Sequence, residues 1–200
     1  MPVPSQQLSA GVAVGDAEVE IATDATRRWV VGMVIGLNLC PFARRVAEVG
    51  GVRYAVTDAA EEEHLLAAVE AELKALVASP RSDVETTLLI HPQVLADFDD
   101  YLAFLPEADR LVRRLGLRGI VQIAGFHPSY QFEGTTPDAP ENYTNRSPHP
   151  MLHLLREASV TEVGGDTAAL AAIPQRNIDI LRALGRAAIL ARLAAVQAEG

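Results

Sequence analysis

Apolar residues recur at two different periods along the chain. Leu65, Leu66, Val69, Leu73, Leu76 and Val77 fall three or four apart, which predicts a helix from Ala60 to about Ser79 that Pro80 and Ser82 end. Short runs without that spacing flank it: VRYAVT at Val52–Thr57, ETTLLI at Glu85–Ile90 and IVQIA at Ile120–Ala124. Their β-branched content and the glycine, aspartate or proline near their ends predict strands. Leu95 to Leu115 reads as a helix interrupted or kinked at Pro106. Thr26 to Val49 reads as helical at both ends, with Asn38-Leu39-Cys40-Pro41 as a break and restart and Gly50-Gly51 as a turn. A polar segment follows the third strand, from Phe126 to Ser147. Two further helices are expected after it, a short one near Pro148–Glu157 and a longer one from Pro174 to about Gln197.

Strands alternating with long helices imply parallel crossovers, hence an α/β fold. The expected sheet is small, mainly parallel and three-stranded, with flanking helices and extra C-terminal helices. At 200 residues and 21.4 kDa the chain suits one domain, read as residues 25–200, behind a flexible N-terminal leader at residues 1–24.

Charge and cysteine usage narrow the partners. A net charge of -9 provides no basic surface for counterion release, so nucleic acid and anionic membranes are not expected partners. The longest uninterrupted apolar stretch, Trp29–Leu37, is far shorter than the roughly 20 residues a spanning helix needs. The leader has no Lys or Arg and so lacks the basic start of a secretory signal, which makes a cytoplasmic location the expectation. A single cysteine, Cys40, excludes an intramolecular disulfide.

Candidate chemistry gathers where the strands end. In a parallel sheet the ligand crevice lies outside the carboxyl ends, and the three runs exit into Asp58, His91-Pro92 and His127-Pro128. Proline after each histidine holds its backbone extended at a loop mouth. Two imidazoles and a carboxylate suit a divalent metal such as Zn, Fe or Mn, with His153 as a further ligand; the alternative is that each histidine bonds a loop carbonyl. The loop from Phe126 to Ser147 carries Tyr130, Asn142, Asn145 and Arg146, groups able to face a ligand. Ser147-Pro148 reads as a helix start, placing Arg146 at a helix N-terminus that would hold a small anionic molecule, with Arg156 nearby. On that helix His149 and His153 would stand four apart on one face. Cys40, beside Arg44 and Arg45 at a helix start, is either an activated nucleophile or a buried thiol.

Long strings at these same places, IGLNLCPFA (Ile35–Ala43), TTLLIHPQVLADFDDY (Thr86–Tyr101), FHPSYQFEG (Phe126–Gly134), NYTNRSPHPMLHLLREASV (Asn142–Val160) and RNIDILRALG (Arg176–Gly185), resemble the bacterial family called domain of unknown function 1415. The resemblance covers most of residues 25–185 and implies no activity, cofactor or catalytic residue. Where that family reads SPYP, this chain has Ser147-Pro148-His149-Pro150, and GRAAIL replaces the family's Trp-containing end.

The functional expectation is therefore a small-molecule enzyme, a metal-dependent hydrolase or oxidoreductase, with His91 and His127 at the sheet edge and arginines holding an anionic substrate. One alternative makes Cys40 the nucleophile of a thiol hydrolase or transferase with His127 or His91 as base. Another is a non-catalytic protein that binds an anionic ligand.

Overall fold

A computed structural model describes residues 15–164 and 167–198. In chain order these form α1 (Asp16–Trp29), which runs into a π-helical turn (Val30–Ile35), α2 (Ala43–Glu48), β1 (Val52–Val56), α3 (Glu62–Ala78), β2 (Thr86–Ile90), α4 (Phe98–Arg114), β3 (Val121–Phe126), a 3-10 turn (Pro140–Thr144), β4 (Met151–Arg156), α5 (Glu157–Gly164), α6 (Thr167–Leu184) and α7 (Arg186–Ala198). Residues 16–24, read from the sequence as leader, form the first part of α1. Residues 1–14 of that leader lie outside the described residues.

The sheet has four strands, not three, in the order β1-β2-β4-β3. β1 and β2 are parallel, and β4 lies antiparallel to both β2 and β3. The sheet is therefore mixed, while β1, β2 and β3 still run in one direction and share a carboxyl edge. The added strand is the segment expected to be a helix. Met151, Leu152 and Leu154 are each 0% exposed, because β4 sits between two strands with both of its faces covered. A strand buried on both faces shows no alternation, so its apolar run does not announce its period. Pro148 and Pro150 favour extended backbone just ahead of it.

Register assigns each side chain to a face. Val52, Thr86, Leu88, His153, Leu155, Gln122 and Phe126 project to one side, and Leu89, Leu152, Leu154 and Val121 to the other. The second side is closed by Leu65, Val69, Leu73 and Leu76 of α3 and by Tyr101, Phe104, Ala108 and Leu111 of α4. Asp97 caps α4 by accepting from the N–H groups of Asp99 and Asp100, and the helix runs unbroken through Pro106. The first side is covered by Trp29, Val30 and Met33 with Leu181, Ile189 and Val196 from α6 and α7. The helix expected from Pro174 to Gln197 is two helices: α6 already begins at Thr167, and Gly185, with φ 77°, makes the turn before α7.

Candidate functional site

At the shared carboxyl edge, His91 and His127 come together around Tyr101. The Tyr101 ring centroid lies 5.9 Å from His91 and 5.1 Å from His127. Both imidazoles are turned toward the loop between β2 and α4. Nδ1 of His91 lies 3.0 Å from the Val94 carbonyl oxygen, so it carries the proton and donates. His127 accepts from the Ser129 N–H at Nδ1 (3.0 Å), which leaves Nε2–H to donate to the Leu95 carbonyl (3.1 Å). Leu95 has φ 58°, a conformation that costs a branched residue energy and needs such support. Burial pushes the His91 pKa down to about 4 and also lowers that of His127, so both rings are neutral at pH 7. His91 Nε2 is buried without a partner.

The remaining members of the expected ligand set lie elsewhere. Asp58 is exposed in the loop after β1. His153 is on β4, not on a helix, and its side chain projects to the face opposite the His91–His127 pair, so the sheet separates them. His149 precedes the strand and shares no helix face with it. Among the described residues, no three His, Cys, Asp or Glu side chains converge as a metal site would require.

The polar loop is held together by the residues expected to face a ligand. Asn142, 0% exposed, accepts from the Phe132 N–H through Oδ1, which also lies 2.9 Å from the Thr135 hydroxyl, and donates to the Thr136 carbonyl through Nδ2. Asn145 Nδ2 donates to the Gly125 carbonyl, fastening the loop to β3. Arg146 donates to the Tyr130 and Pro137 carbonyls and lies over the Tyr143 ring, 4.5 Å from its centroid. The helix N-terminus expected beside Arg146 does not form; the chain leads into β4 instead. Tyr130 packs against Phe98 and Phe132. Arg156 Nη2 donates to the Leu76 and Ser79 carbonyls, satisfying the C-terminal end of α3.

Two cavities lie on the other face of the sheet. A cavity of about 250 Å³ is roofed by Trp29, Val30 and Val34, walled by Phe42, Ala43 and Val46, and floored by Leu88, Phe126, His153 and Leu155. Most of its exposed surface is apolar, and Glu85, Thr86, Gln122, Arg156 and Ser159 complete the lining. His153 supplies the main polar feature of the floor. Thr86 Oγ1 donates to the Leu154 carbonyl (2.8 Å), so at 2.7 Å it accepts from His153 Nε2–H and leaves Nδ1 as an acceptor. Burial pushes the His153 pKa down to about 4, which keeps that nitrogen unprotonated.

Cys40 lines this cavity and also a second one of about 570 Å³, bounded by the polar loop and α6. Burial raises its pKa above the ordinary thiol value, outweighing the opposing effects of the Phe42 and Ala43 N–H groups and the Arg176 charge. The resting side chain is therefore a neutral thiol, not the activated thiolate that a helix start and nearby arginines suggested. Trp29, Val34 and Thr86 were not singled out in the sequence, and Phe126 reads there only as an aromatic anchor of the polar loop. Thr86 and Phe126 become legible only once strand register assigns them to the face that bears His153.

No curated protein and no solved structure matches the chain. Residues 21–191 match the family described as protein of unknown function (DUF1415), and the chain belongs to that family.

Proposed function

We propose that the protein binds a small, largely apolar molecule in the cavity between the sheet and the α1 π-turn, with His153 Nδ1 accepting a hydrogen bond from it. The observation that carries this reading is the cavity itself: about 250 Å³ with a mostly apolar surface, a neutral imidazole acceptor in its floor, and Glu85, Gln122, Arg156 and Ser159 among its other lining residues. Apolar lining with few convergent polar groups is the usual character of a small-molecule site. Arg146 and Arg156, which would have held an anion, donate instead to backbone carbonyls, although Arg156 Nε is buried without a partner.

Trp29 is the chain's single tryptophan and lines the cavity, so its emission reports entry. Titration with butylbenzene is expected to give a saturable change in Trp29 emission that Ala43→Phe, which fills the cavity, abolishes. A linear, unsaturable response, or one that Ala43→Phe leaves unchanged, would overturn the reading.

A second reading adds chemistry, and the position of Cys40 on both cavity walls favours it. A bound substrate would then meet the thiol as nucleophile, and His153, which lines the same inner cavity, would be the available base; His91 and His127 stand across the sheet. Cys40→Ser would abolish turnover of such a substrate while leaving butylbenzene binding intact.

A further inference from the structure

The two cavities share three wall residues, Val34, Cys40 and Phe126, and are otherwise lined differently. The inner one is the mostly apolar space already described. The outer one is larger, about 570 Å³, within the range of roughly 300–1,000 Å³ typical of ligand sites. Polar groups from the loop and α6 line it: Thr135, Glu141, Thr144, Asn145 and Asn177.

The hydrogens of these groups are largely committed. Thr135 Oγ1 donates within the loop, to the Phe132 carbonyl or to Asn142 Oδ1, and Thr144 Oγ1 to the Glu141 carbonyl or to Asn145 Oδ1. Asn145 Nδ2 donates to the Gly125 carbonyl and Asn177 Nδ2 to the Leu39 carbonyl (2.7 Å). Glu141 is paired with Arg182, which holds its carboxyl below the usual carboxylate range and therefore ionised. The capacity left over is weighted toward oxygen lone pairs, and the charged side chain in the lining is an anion. No Lys, Arg or His lines this cavity among the described residues. Such a wall favours a ligand that donates hydrogen bonds over one that only accepts them.

Building on the binding function above, we infer that the ligand is amphipathic: its apolar part occupies the inner cavity, its linker passes Cys40, and a head carrying O–H or N–H donors occupies the outer cavity. The head is neutral or cationic. A carboxylate or phosphate head would meet oxygen lone pairs and the Glu141 carboxylate, whose charge Arg182 balances, with no cation of the lining to pair with.

Three probes with one apolar part test this by Trp29 emission: butylbenzene, 4-phenylbutylamine and 4-phenylbutyrate. The amine is expected to bind about tenfold tighter than the hydrocarbon, the ratio that one charge-assisted hydrogen bond supplies, and the carboxylate no tighter than the hydrocarbon. Thr144→Val, which removes an acceptor from the outer wall, should reduce the amine's advantage and leave butylbenzene unaffected. Ile178→Phe, which narrows the outer cavity by apolar bulk alone, should do the same. If butylbenzene binds but the amine gains nothing, or both variants leave its gain intact, the amphipathic inference fails while the apolar site stands. Tightest binding of the carboxylate would also overturn it. If no probe binds, the underlying reading fails.

Discussion

His91 and His127 hold consecutive carbonyl groups of one loop, the first donating to Val94 and the second to Leu95. Each ring comes from the end of a different strand, so the pair ties β2 and β3 to the loop that starts α4. His91→Ala and His127→Ala should each destabilise the protein by about 2–4 kcal/mol, combining a lost hydrogen bond with a void in a closed cluster. Urea unfolding measures this, and a loss below about 0.5 kcal/mol would show that the clamp is idle.

Acid sensitivity follows from the same burial. The pKa values of His91 and His153 fall from 6.5 to about 4 in the folded chain, so between these limits the unfolded state binds the extra protons. Stability from each histidine is present above pH 6.5 and is lost as pH falls toward 4, at about 1.4 kcal/mol per pH unit. Urea midpoints at pH 7.5, 6 and 5 should decline in that order, and His153→Gln should flatten the decline. An equally steep decline in the variant would remove His153 from the account.

Tyr101 closes the end of the β3–β4 ladder, its hydroxyl accepting from the Phe126 N–H and donating to the Met151 carbonyl, 2.9 Å each way. Tyr101→Phe leaves both backbone groups unpaired in a buried place and should cost about 2–3 kcal/mol. A Cβ at Gly125 would lie 2.7 Å from that hydroxyl oxygen, so Gly125→Ala should also destabilise. In the double variant the oxygen is gone, and the two losses should sum to less than their separate values. Strict additivity in thermal unfolding would show that the contact does not matter.

Reaction of Cys40 with iodoacetamide reads its environment directly. With its pKa raised by burial, modification at pH 7.5 should be slower than for a free small thiol and should accelerate into the alkaline range. Because Cys40 lines both cavities, saturating 4-phenylbutylamine should slow it further. Modification as fast as a free thiol's would contradict the burial.

Arg156→Met should cost about 2–3 kcal/mol, because Nη2 of the guanidinium donates to the Leu76 and Ser79 carbonyls at the end of α3. Hydrogen exchange should rise first in the last turn of that helix. Unchanged protection there would separate Arg156 from the helix end.

Local pattern identified the helices α3 and α4 and the strands β1, β2 and β3 because each writes one period into a half-buried face or is bounded by strong turn residues. It also identified the common carboxyl edge, since three strands in one direction end at Asp58, His91 and His127. Family membership was equally open to reading in the long strings around Cys40, His91 and Arg146.

Only the tertiary structure decided β4. MLHLLR is apolar on both faces because β2 and β3 flank it and helices cover both sides, and that enclosure is a property of the folded sheet, not of six residues. The consequences for the site follow from that one strand. It carries His153 to the face opposite His91 and His127, removes the helix N-terminus from Arg146, and builds the cavity floor. The direction of each imidazole was likewise beyond local pattern, because a ring nitrogen bonds whichever carbonyl the fold brings within about 3 Å, and those carbonyls belong to a loop that residue order alone does not position.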